Sequence, residues 1–217
     1  MTHQFRAEIP KGSPEEGVSS STRPPPWAAR SPRLPRTERP GPEPCGAAPA
    51  APPPQDPRIP LTVRQKFSIS KSWKAIARAM DQTGVAMFVK LFEENKEFLA
   101  LFEKLKHLET REAQEESEEL KEHAVSVMNS LDEAINSLEN VDQCIDFLRS
   151  VGKRHRKING FKSEYFWKME APFLAAVKET LDDRYTENME SIYKTTIHFI
   201  LQTVVDGFED KPLQNSA

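Results

Sequence analysis

From Leu61 onward, apolar residues recur at steps of three and four, and no segment shows sustained strand alternation. That is the period of helices with one buried face. Thr62 and Gln65 form a T-x-x-Q capping pattern. The helix behind it has Val63, Phe67, Trp73, Ile76, Ala77 and Met80 on its apolar face, and Asp81-Gln82-Thr83 is expected to follow its end. A second helix runs from Gly84 to Glu94, with Met87, Phe88, Leu91 and Phe92 inward. Gly84 either admits a crossing helix or simply starts this one. Phe98, Leu99, Leu101, Phe102 and Leu105 predict a tight apolar corner, and the charge run REAQEESEELKE reads as solvated surface. Two further helices carry Leu120, His123, Ala124, Val127, Leu131 and Leu138, then Ile145, Leu148, Val151, Gly152 and His155; Ser117 and Asn140 are their caps. Phe161 opens another apolar face, through Phe166 and Phe173 to Leu181, which Pro172 is expected to bend. Thr186 caps a last helix striped by Ile192, Tyr193, Phe199, Ile200, Val204 and Phe208. The prediction is an all-α domain of about six to eight helices over residues 61–210.

Within that domain, His123 and His155 sit on the apolar faces of consecutive helices, separated by the polar turn Glu139-Asn140-Val141-Asp142-Gln143. A short connection places such helices side by side. Two imidazoles then point into one apolar interior, the usual form of a cofactor site. Imidazole is also the commonest metal ligand. The plainer alternative is that each is a hydrogen-bonded core histidine. Zinc wants carboxylates or thiolates beside its imidazoles, whereas the inward neighbours here are apolar. A flat, apolar, iron-bearing macrocycle suits the pattern better.

Composition divides the chain near Leu61. Sixteen of its 18 prolines lie in residues 1–60. This stretch offers little to bury and favours extended polyproline II, so it is expected to be disordered, as are residues 211–217. Pro32-Arg33-Leu34-Pro35 matches the PxxP pattern that SH3-like domains bind, although a solvated spacer is the simpler reading. Lys+Arg number 30 against 33 Asp+Glu, a net charge of -3, which gives no electrostatic case for nucleic acid. Cys45 and Cys144 read as free thiols of a reducing compartment. No apolar run is long enough for a membrane span. The first residues lack a secretory apolar core, and Glu8, Glu15 and Glu16 argue against a transit peptide. Thr2 is incompatible with N-myristoylation. The expectation is a soluble cytoplasmic protein.

Taken together, these residues resemble the globin family over most of 61–210. Trp73 falls where globins carry the tryptophan of their first helix, and LFEENKEFLALFEKLKHLET resembles the stretch ending in the family's invariant phenylalanine, here Phe102. EHAVSVMNSL is similar to the distal helix and LRSVGKRHRKIN to the proximal segment. The interval of 32 residues from His123 to His155, with Phe88 and GKRHR, resembles the neuroglobin and globin X branch. One departure is Lys96, which stands where the family has a proline before the phenylalanine corner. The acylation signal common in globin X chains is not matched either.

The resemblance implies haem b (iron protoporphyrin IX), with His155 as proximal and His123 as distal iron ligand, the latter binding iron directly when no gas is present. Phe102 would wedge the ring. Phe88, Val127, Val151, Phe161 and Phe166 would wall it, and Lys104, Arg154 and Asn159 are candidate propionate partners. No catalytic residue is implied. The expected role is reversible binding of dioxygen and other diatomic gases, as carrier, store or sensor. The alternative is redox chemistry at the same haem: nitric oxide dioxygenation, nitrite reduction, or electron transfer and redox sensing with a reductase. A haem-free helical interaction module is a third reading, which Phe102, His123 and His155 argue against.

Overall fold

The structure is a computed structural model that describes residues 55–212. Of the segments expected to be disordered, 1–60 and 211–217, residues 1–54 and 213–217 lie outside the described residues, and so does the PxxP segment. Among those described there are eight α-helices, two 3-10 turns and no strand. The helices are α1 (Val63–Arg78), α2 (Met80–Glu94), α3 (Arg111–Glu116), α4 (Glu118–Asn136), α5 (Val141–His155), α6 (Glu164–Trp167), α7 (Glu170–Leu181) and α8 (Glu187–Glu209). The expected all-α architecture is present.

Local chemistry sets most of the helix starts. Thr62 and Gln65 form a reciprocal capping box on α1. The side chains of Thr110, Ser117, Asn140 and Thr186 each accept a backbone N–H at the start of α3, α4, α5 and α8. Each such cap stabilises its helix by about 1 kcal/mol. Just before the first cap, Ile59 and Leu61 are buried and Arg58 bridges to Asp142 at 2.8 Å, so the chain is anchored on both sides of residue 60.

Four expectations need correction. The buried face of α1 is Lys66, Ile69, Trp73 and Ile76, while Val63 is 52% and Phe67 is 67% exposed. The lysine stem of Lys66 lies along the core with its ammonium 3.7 Å from Glu139, so a nominally polar residue occupies the inward register. Next, the break falls at Ala79, and Asp81, Gln82 and Thr83 form the first turn of α2. The charge run is not wholly solvated either. It contains α3, whose Gln114 is buried and donates to the Leu108 carbonyl at 2.8 Å. Pro172, finally, does not bend a helix interior. The chain divides into α6 and α7, and Pro172 stands in the first turn of α7, where its missing N–H has no partner to lose.

Two glycine crossings set the spacing of the walls. A Cβ on Gly84 would lie 2.8 Å from Met128 Cγ and 3.2 Å from the Ala124 Cβ, so α2 rests directly on α4. A Cβ on Gly152 would lie 2.0 Å from the Val204 carbonyl oxygen, and one on Gly207 would lie 2.3 Å from that of Arg149. Helices α5 and α8 therefore touch main chain to main chain at two reciprocal points. Elsewhere the core closes around Trp73, whose indole N–H donates to Asp132 at 2.8 Å. Tyr193 is buried with its hydroxyl 3.0 Å from Ser72 Oγ, and burial pushes its phenol up to about 12.

Candidate functional site

Helix α4 carries His123 and helix α5 carries His155, and both rings line one cavity of about 980 Å³. That is near the upper end for a small-molecule or cofactor pocket. Phe88, Phe102, Val127, Val151, Arg154, Phe161 and Phe166 line it too. Exposed Glu122, Asn129, Glu133 and Arg154 stand at its rim. Two expected residues lie outside the lining. Lys104 is exposed, 4.0 Å from Glu119, and borders a second recess of about 410 Å³ that shares Phe102, Glu122 and His123 with the cavity. Asn159 is exposed and borders neither space.

The floor holds residues that were not expected there. Helix α8 contributes Ile197, Ile200, Leu201 and Val204, one turn-spaced face of a helix read only as core. Phe147 and Leu148 of α5 and Met169 and Phe173 further along complete it. Positions 197, 200, 201 and 204 are one face by the helix period, but that period does not say that this face meets the cavity.

His155 ends α5, and its Nδ1–H donates to the Val151 carbonyl one turn back, at 2.9 Å. With that proton committed, Nε2 keeps a free lone pair. Phe161 and Phe166 pack on the ring at 5.1 and 5.0 Å between centroids. On α4, Phe88 and Phe102 meet the His123 ring nearly edge-on, each at 5.0 Å. Burial, reinforced by the neighbouring His155, pushes the His123 imidazole down to about 4. Burial also lowers His155, although its hydrogen bond to Val151 works the other way. Both rings are therefore neutral near pH 7, the protonation state in which an imidazole nitrogen can bind a metal.

The donor set constrains what could be held. Among the described residues, no three His, Cys, Asp or Glu side chains converge as a metal site. A bare ion would find at most two protein ligands here. A metal whose remaining ligands came with a flat apolar carrier would fit both the two imidazoles and the apolar walls.

A family model described as Globin matches residues 85–204. The chain belongs to the globin family. A cytoglobin-1 of Oryzias latipes is 28% identical to it over 70% of this chain and 85% of its own length. A neuroglobin of Dissostichus mawsoni is 26% identical over 70% of this chain and 97% of its own. Among solved structures, a hexacoordinated haem protein from an anhydrobiotic tardigrade, determined at pH 4, is 39% identical. It superposes with a TM-score of 0.69, covering 71% of this chain and 99% of that one. The neuroglobin likeness read from the sequence is thus borne out, with cytoglobin beside it. No described helix is long and apolar enough to cross a membrane.

Proposed function

We propose that the cavity holds haem b, with Nε2 of His155 as the proximal iron ligand and His123 as the distal one, and that the protein binds dioxygen reversibly. The observation that carries this reading is the hydrogen bond from His155 to the Val151 carbonyl, which fixes ring orientation and leaves Nε2 bare. The hexacoordinated haem protein of the tardigrade supports two-histidine coordination in the resting state. When bound, the haem iron supplies a coordination position for a diatomic gas.

The chain's own residues do the rest. Val127, Val151, Phe102 and Phe166 exclude water, and burying an apolar macrocycle among them contributes about 25 cal/mol per Å². Phe102, in the cavity lining, would wedge the ring edge. Arg154, the basic residue at the cavity rim, is the first partner for the propionates; Lys104 and Asn159 are outer candidates. His123 has two tasks. It would hold the distal position, and a gas that had to displace it would bind with an apparent affinity lowered by the fraction of open molecules. Once displaced, its N–H is available to a polar gas ligand, a hydrogen bond worth about 1.5–3 kcal/mol if the acceptor carries charge. The proposed setting is the cytoplasm.

The purified chain should bind one haem, measured by the pyridine haemochrome spectrum. The deoxygenated ferrous spectrum should show sharp low-spin bands. A broad high-spin band would remove His123 from the iron, and a chain that takes up no haem would remove the whole reading. Oxygen dissociation and autoxidation rates distinguish a carrier or store from a redox enzyme acting on nitric oxide or nitrite.

A further inference from the structure

The segment from Lys153 to Lys162 carries Lys153, Arg154, Arg156, Lys157 and Lys162, in a chain whose net charge is -3. Asp210 lies 3.8 Å from both Lys153 and Arg156, Glu164 lies 3.7 Å from Lys162 and Glu209 lies beside Ser163, so five cations outnumber three carboxylates. The helix dipole accounts for cations in the last turn of α5, but Lys157 and Lys162 lie beyond that turn. Amid these charges stands Ile158, 40% exposed, one of three large apolar side chains so exposed among the described residues. Its amide donates to the His155 carbonyl at 3.1 Å, and Gly160, at φ 78, turns the chain so that Phe161 reaches back to the His155 ring. An apolar point rimmed by cations therefore sits directly outside the proximal histidine.

We propose that this face docks an acidic one-electron carrier protein that reduces the haem iron, an inference that rests on haem being held at His155. The donor's prosthetic group loses one electron and the ferric iron gains it to become ferrous; no bond of this chain forms or breaks. Charge complementarity selects an anionic rim on the partner, and Ile158 supplies the apolar centre. Small, polar, salt-sensitive contacts are usual for transient electron-transfer encounters. Position favours such a partner over an anionic membrane. Arg154 lines the cavity and His155 lies within the segment, so docking here brings a donor close to the site, an adjacency a lipid surface has no use for.

The test uses the full haem-loaded chain, with haem content measured first. A chain that takes up no haem refutes haem binding itself; a loaded chain without charge-steered reduction refutes only the docking face. The probe is reduced flavodoxin, a small acidic one-electron donor, with stopped-flow reduction and calorimetric binding as readouts. Rate and affinity should both fall about tenfold or more on going from low to physiological ionic strength, as steering by opposite charge requires. The triple variant Lys153→Glu, Lys157→Glu, Lys162→Glu should lose about the same at low salt. Ile158→Ser should weaken binding and leave the salt dependence unchanged. Lys71→Glu with Lys74→Glu, on the exposed side of α1, should match the parent. Salt-independent rates that the triple variant shares with the parent would overturn the proposal. So would binding of this face to anionic vesicles without any flavodoxin docking.

Discussion

The two histidines share one cavity but are held in opposite ways. His155 is fixed by its hydrogen bond to Val151, and its helix is locked against α8 through Gly152 and Gly207. His123 rests between the edges of Phe88 and Phe102, with no hydrogen-bond partner among the described residues. A ring gripped by a hydrogen bond and a helix crossing suits a permanent ligand. A ring held only by dispersion contacts can leave its position at small cost. The contrast teaches that division of labour between two identical side chains is set by their second neighbours.

The largest effect should come from setting one ring against the other. His155→Ala should abolish stable haem retention, whereas His123→Leu should keep haem and convert the ferrous spectrum to high-spin. Equal haem loss in both would erase the asymmetry. Next comes the anchor beneath the His155 ring. Gly152→Val inserts a branched side chain where even one Cβ would clash with the α8 backbone. It should cost about 3 kcal/mol of chemical-denaturation stability and speed haem loss.

Acid should sharpen the comparison in the haem-free protein. The folded imidazole of His123, at about 4, lies below the ordinary histidine value of 6.5. Between those values the unfolded chain binds a proton that the folded chain refuses. Stability is therefore full above about pH 6.5, falls as pH drops towards 4, and loses nothing more from this group below that. At about 1.4 kcal/mol per pH unit, the loss is at most roughly 3–4 kcal/mol. Urea titrations across this range should show His123→Leu with the flatter profile. The smallest effect lies away from both rings. Trp73→Phe removes the indole bond to Asp132 and should cost about 2 kcal/mol with an unchanged haem spectrum.

What the sequence made legible was what is written in short-range chemistry. The caps at Thr62, Ser117, Asn140 and Thr186 use residues three apart, so each could be read directly. The faces of α4 and α5 could be read because their polar sides are strongly charged. Helix α1 was harder. Period alone fits a stripe through Val63 and Phe67 as well as one through Lys66 and Ile69, and the long stem of Lys66 lets tertiary packing choose the second. Pro172 was misplaced because a continuous apolar pattern conceals the division between α6 and α7. At the site, the two histidines were legible from the helix period, and their phenylalanine neighbours through family resemblance. The α8 floor was not, since no local pattern says which helix will lie across the cavity. The same holds for the Gly152–Gly207 crossing: a glycine announces that something comes close, but not what.

That crossing has a consequence for how the protein is made. Synthesis runs from the N-terminus, and Gly207 follows His155 by 52 residues. Until α8 has emerged from the ribosome, α5 lacks the backbone it rests on, and Arg156 lacks the carbonyls of Gly207 and Phe208 that it grips. The nascent chain can display both imidazoles early, yet the seat beneath the His155 ring is completed only once α8 has been made and has packed against α5.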